Sequence, residues 1–169
     1  PECTVHDIGD GVMCIEFQTK GNSIGEGIAK GINEAIDIAE RDGWNGIVIG
    51  NNDKQFSVGA NLMNMGMMAM QKNFDEIEKF LVGFQKILMR MRTCNVPVVS
   101  ATHGFVMGGG LEVSIHCDAG IHASESYIGL VEAGVGLIPG GGGTKEMAMR
   151  ASDSFNSCLL YTSDAADDP

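Results

Sequence analysis

Glu132 is the lone acid in an otherwise apolar stretch from Ile128 to Pro139. A carboxylate there either reaches solvent or is held for a purpose, and desolvation would raise its pKa toward a value useful for proton transfer. Twenty residues earlier, Glu112 follows three consecutive glycines, Gly108–Gly110, in the segment GFVMGGGLEVSIHCD. Glycines at a helix start let a ligand approach unpaired N–H groups, and the helix dipole adds partial positive charge. Such a place suits an anion or a developing oxyanion. Alone, Glu112 needs no more explanation than complementing that dipole. A third segment, Gln55–Asn61 (QFSVGAN), follows the apolar run GIVIG. Gly59 would let the backbone bend so that neighbouring N–H groups point inward.

Those segments need elements to hold them. Val12–Thr19 alternates loosely and reads as a strand. Residues 24–41 carry Ile24, Ile28, Ile32, Ala35, Ile36 and Ala39 at helical spacing, closed by Gly43. Gly46–Gly50 and Pro97–Ala101 are short apolar runs suited to buried parallel strands. Between them lie a loop, Asn51–Asn61, and a helix from Phe74 to Arg92 with one apolar face. Gly108–His116 reads as a helix, Ala119–Ala123 as a strand, Gly129–Gly143 as loop, and Thr144–Arg150 as the start of another helix. Strands alternating with helices predict an α/β fold in which GIVIG and PVVSA pair in parallel. Loops leaving the C-terminal ends of such strands are where α/β folds place their sites.

Composition narrows the function. The 169 residues are 44% hydrophobic and 20% charged, which excludes a wholly disordered chain. The net charge of −11 shows no basic footprint for nucleic acid. No apolar run is long enough to span a bilayer, and no signal-peptide pattern appears. The five cysteines form no CxxC pair and fit free thiols in a reducing cytoplasm. The four histidines have no zinc-binding spacing, so no metal is expected. PGGGGTK is not a phosphate loop, because Thr144 precedes Lys145. No GxGxxG opens a helix after a strand, so a dinucleotide site is unsupported.

Taken together, FSVGAN, HGFVMGGGLEVSIHCD and LVEAGVGLIPGGGGTKE resemble the crotonase (enoyl-CoA hydratase/isomerase) superfamily, in family order and spacing, over residues 5–150. The wording of the last segment is similar to the hydratase domain of bifunctional bacterial fatty-oxidation proteins that also carry a 3-hydroxyacyl-CoA dehydrogenase portion. The resemblance implies an α/β crotonase-like ββα-repeat spiral fold, here C-terminally truncated. It implies hydration of 2-trans-enoyl-CoA to 3-hydroxyacyl-CoA in fatty acid β-oxidation, in the cytoplasm. Backbone N–H groups of Val58 and Gly109 would form the oxyanion hole. Val58, Gly59, Ala60, Asn61 and Gly109 would bind substrate, and Glu112 and Glu132 would be catalytic. Glu132 would handle the proton at the α carbon and Glu112 mainly the water. Asn61 stands where many members have Asp. The Met63–Met70 cluster suits either an acyl-chain pocket or gap-filling packing.

The same resemblance implies no cofactor, with acyl-CoA as substrate and NAD needed only if a dehydrogenase domain is present in the parent. Partners would be a homotrimer or that intramolecular dehydrogenase domain. Alternatives are an enoyl-CoA isomerase of the same fold, for which the later acid suffices, and an inactive fragment of a larger bifunctional enzyme. The last residues, from Cys158, read CLLYTSDAADDP and resemble a translated sequencing adapter. The expected division is therefore a core over 1–157 and a non-native tail over 158–169. Omitting the tail's three Asp changes the net charge from −11 to −8.

Overall fold

The computed structural model describes residues 1–164, with side chains through residue 155. An antiparallel hairpin opens the chain: β1 (Cys3–Asp7) pairs with β2 (Val12–Phe17). A 3-10 turn, Lys20–Asn22, leads to α1 (Glu26–Asp42). The next strand is β3 (Gly46–Ile49), followed by α2 (Leu62–Met70) and α3 (Phe74–Thr93). Then come β4 (Val98–Thr102), β5 (Phe105–Met107), α4 (Gly109–Ile115), β6 (Ala119–His122) and β7 (Tyr127–Gly129). A second 3-10 turn, Glu132–Val135, precedes α5 (Gly143–Asp164).

The main sheet runs in the order β1-β2-β3-β4-β6, and every pairing after the first hairpin is parallel. GIVIG and PVVSA are thus parallel neighbours, with Ile47 opposite Val98 and Ile49 opposite Ser100. A smaller parallel sheet joins β5 to β7, and Ser57 bridges to Val106 at its side. That bridge draws the QFSVGAN loop to the start of α4.

Packing follows the apolar pattern. Met13, Ile15, Ile47, Ile49 and Val98 are buried from the sheet, and Ile28, Ile32, Ala35, Ile36 and Ala39 from α1. Gly43 closes α1 in the left-handed region, φ 73° and ψ 40°, its N–H donating to Ala39 O. Phe84, Leu88 and Met91 bury the inner face of α3. Arg90 binds α3 to α1 through the Asn33 side chain and Asp37 Oδ1.

The structure differs from the sequence reading in three places. β1, β5 and β7 are only 5, 3 and 3 residues long, too short for periodicity to register. The methionine cluster is helical, as α2, although none of its residues is buried. Asn61 caps it, its side chain accepting from Asn64 N at 3.2 Å. At the other end α5 continues through Asp164, into the segment read as a tail. Residues 165–169 lie outside the described residues, as do the side chains from residue 156 onward.

Candidate active site

Ser57, buried after β3, fixes the first loop. Its hydroxyl donates to Asn22 O at 2.7 Å and accepts from Gly59 N–H at 3.1 Å. Gly59 has φ +91°, and a Cβ there would lie 2.8 Å from Met107 O and 3.2 Å from Gly109 N. Only glycine therefore lets this loop lie against the start of α4. Ile24 N–H donates to Gly59 O and Asn61 N–H to Ile24 O, tying the loop's far side to the entry of α1.

Gly109 is the first residue of α4. Gly108, just before it, has φ +50° and receives the Glu132 carboxylate: a Cβ there would sit 2.9 Å from Glu132 Oε1. Gly110 leaves room for Ser57, whose Cβ would otherwise be 2.7 Å from a side chain. Three glycines in a row thus serve a strained turn, a helix start and a close backbone approach.

Glu112 is 2% exposed in the first turn of α4. Its Oε1 accepts from Gly141 N–H at 2.8 Å and Gly143 N–H at 2.9 Å. Burial pushes its carboxyl above the usual value, and the Glu132 charge adds to that rise. The two N–H donors oppose it without cancelling it. Glu132 begins its own 3-10 turn, and its Oε2 is buried without a hydrogen-bond partner among the described residues. An unpaired buried carboxylate oxygen is costly in a folded chain unless something else meets it.

The sequence-derived residues therefore converge. The QFSVGAN loop, the α4 start and the Glu132 turn meet around Gly108 and Gly109. Val58 differs from expectation in one respect: its N–H donates to Gly21 O at 3.1 Å. Gly21, at φ +64°, presents that carbonyl from the turn before α1. Turning the Val58 donor toward any other acceptor requires that bond to open.

One feature escaped the sequence reading. Gly141 and Gly143, in the PGGGGTK run, supply the N–H groups that hold Glu112, a role that the sequence reading does not assign them. Gly141 also admits both Phe84 and the Glu112 carboxylate, since its Cβ would lie 2.7 Å from one and 2.5 Å from the other. The signal was present in the glycines preceding a helix, whose first N–H groups have no helical acceptor. Beside the methionine cluster, for which pocket lining and packing are both open in the sequence, lies a partly open cavity of about 540 Å³ between the entry of α1, α2 and α3, lined in part by Ile24, Met65, Met68, Phe80 and Phe84. Ile24 and Phe84 also flank Gly109, so the cavity adjoins the glycine helix start. Cys117 lies behind α4, its thiol pushed up to about 12 by burial, and is inert as a nucleophile.

This architecture is the crotonase fold. An enoyl-CoA hydratase from Polaromonas sp. JS666 superposes with a TM-score of 0.83 at 23% identity, over 87% of this chain and 58% of that one. The family model described as Enoyl-CoA hydratase/isomerase matches residues 7–166, and the chain belongs to that family. A "Probable 3-hydroxyacyl-CoA dehydrogenase" of Bacillus subtilis (strain 168) is 41% identical over 157 residues, 90% of this chain and 20% of that protein. A "Crotonyl-CoA hydratase" of Syntrophomonas wolfei is 34% identical over 118 residues, 70% of this chain and 44% of that protein. The chain thus spans between a fifth and under half of these relatives' length.

Proposed function

We propose that this chain carries the hydratase portion of an enzyme that adds water to 2-trans-enoyl-CoA, forming 3-hydroxyacyl-CoA in fatty acid β-oxidation. The observation that carries the reading is the pair of carboxylates flanking one glycine helix start. Glu112 is fixed there by two N–H donors, and Glu132 has a buried oxygen without a partner among the described residues.

Hydration places hydroxide on the β carbon and a proton on the α carbon, and negative charge builds on the thioester oxygen between. The Gly109 N–H, at the positive end of α4, and the Val58 N–H, once released from Gly21 O, are the proposed donors to that oxygen. Removing one such donor typically costs about 10²–10³ in rate. Glu112 takes a proton from water as the hydroxyl adds, and Glu132 supplies the proton to the α carbon. A carboxyl whose pKa is raised is a stronger base once ionised, which suits Glu112 to the water.

Gly59, Ala60 and Asn61 would line the path of the thioester. The 540 Å³ cavity is within the ~300–1,000 Å³ range of small-molecule sites. Its methionines would adapt to an acyl tail longer than four carbons. The name of the Bacillus relative motivates a parent in which a dehydrogenase portion oxidises the 3-hydroxyacyl product with NAD. Hydratase chemistry itself calls on no cofactor. A cytoplasmic setting agrees with Cys3, Cys14, Cys94 and Cys117 being free thiols. The core–tail division at residue 157 is part of the same proposal.

The test is loss of enoyl thioester absorbance with crotonyl-CoA and a longer 2-enoyl-CoA, with chromatography identifying the 3-hydroxy product. Production of a shifted double bond in place of a hydroxyl would replace the hydratase by an isomerase.

A further inference from the structure

Behind Glu112 lies a second buried acid that this mechanism does not use. Glu146, in the first turn of α5, is 1% exposed. Its Oε2 accepts from the Arg92 guanidinium of α3, and its Oε1 is ion-paired with Lys145 Nζ at 2.5 Å. His116, also 1% exposed and just past the end of α4, places Nε2 3.5 Å from Glu146 Oε1. The other ring nitrogen, Nδ1, is 2.7 Å from Glu112 O, a carbonyl that can only accept, so Nδ1 donates.

Two lines therefore run from Glu146 to Glu112. One passes through the first turn of α5, where Glu146 N–H donates to Gly142 O, to the flanking N–H groups that hold the Glu112 carboxylate. The other passes through His116 to the Glu112 main chain. Burying a carboxylate is expensive unless it is paired, and the helix needs no acid at this position to form. Here the pairing ties together α3, α4 and α5 at one point.

We propose that Glu146, clamped by Arg92, is a positioning residue that holds the α5 start against Glu112 and so sets both the placement and the proton affinity of that carboxylate. The proposal rests on the hydratase reading only for its effect on rate. Its effect on Glu112 does not require turnover.

The groups facing Glu112 give the sign. Glu132 raises its proton affinity from the neighbouring turn, and the Gly141 and Gly143 N–H groups lower it. By Coulomb's law the more remote Glu146 charge would raise it and the Arg92 and Lys145 charges would lower it. Acting through space alone, Glu146→Gln would lower the Glu112 pKa, because a negative charge is lost and two cations are left unbalanced. Acting through position, it loosens the two N–H bonds and raises that pKa. The two roles move the titration in opposite directions.

The experiment is carboxyl-carbon NMR titration of the glutamate-labelled chain, with the Glu112 resonance assigned by its absence in Glu112→Gln. It is run on wild type, Glu146→Gln and Glu146→Asp, alongside steady-state hydration. The expected result is an upward-shifted Glu112 titration in both variants; Glu146→Asp keeps the charge, so through space alone it would leave the titration in place. In turnover, kcat falls about 10- to 100-fold with KM little changed, as for a misplaced catalytic group, and the acidic limb of its pH profile moves up. Glu146→Asp keeps the charge but shortens the reach to Arg92, so it keeps the test available if Glu146→Gln fails to fold. A downward or absent shift in folded variants overturns the proposal, even if they melt at lower temperature. An upward shift in a wild-type background without hydratase activity would sustain the positioning role and refute the hydratase reading instead.

Discussion

Replacing Glu112 by Gln separates charge from shape at the centre of the site. The amide oxygen can keep both N–H bonds, from Gly141 at 2.8 Å and Gly143 at 2.9 Å. Those bonds become neutral, at about 0.5–1.5 kcal/mol each in place of about 1.5–3 for charged partners. Burial acts the other way, and it dominates, because the folded carboxyl titrates above its ordinary 4.5 despite both donors. A group whose folded pKa is raised stabilises the fold below its unfolded value and loses that contribution as pH rises through the folded value. Glu112→Gln should therefore gain thermal stability relative to wild type on passing from pH 4 to pH 8, with the change falling in the window above 4.5. Hydration of crotonyl-CoA should fall by about 10²–10⁴, the range for a lost general base. Substrate binding should persist, since the proposed oxyanion donors are main-chain groups. Calorimetry across pH, steady-state hydration and a binding titration give the three readings. Full hydratase activity in the variant would refute the two-carboxylate mechanism. A stability difference independent of pH would refute the account of the Glu112 environment.

Glu132→Gln should lower hydration by a similar ~10²–10⁴, and solvent-deuterium incorporation at the α carbon should fall with it; unchanged incorporation would remove Glu132 from the proton transfer. Gly59→Ala forces a side chain into φ +91° and to within 2.8 Å of Met107 O. It should cost about 2–3 kcal/mol of unfolding free energy, and a denaturation midpoint equal to wild type would show that the loop does not press on α4 as described. Met68→Trp should fill the cavity beside α3 and lower kcat/KM for an eight-carbon enoyl-CoA at least tenfold more than for the four-carbon substrate, the scale of steric discrimination in apolar pockets. Equal losses on both would place the acyl tail elsewhere.

How much of this was legible depended on the range of the interaction. Helix α1 declared itself through the buried faces of Ile28, Ile32 and Ile36, β3 through a run with no polar residue on either face, and β4 through the valines of PVVSA. Such patterns report burial, which is a property of each segment by itself. Gly108 is similar, since its φ of +50° is a local demand for glycine, and the acid follows in the first helical turn. What the sequence could not disclose were pairings across long separations. Nothing near Val58 announces that Gly21 will accept its N–H, because the 3-10 turn carrying that carbonyl is three residues long. Likewise, Glu112 meets the N–H groups of Gly141 and Gly143 only because β6, β7 and the Glu132 turn return the chain to α4. Glu146 is the strongest case. In sequence it is one acid after a lysine at a helix start, indistinguishable from a solvated charge complementing the dipole. Its burial arises from Arg92, more than fifty residues earlier, and from His116 just past the end of a third helix. A carboxylate with that set of neighbours is held by the tertiary structure, and it holds in turn the α5 start whose flanking N–H groups grip Glu112.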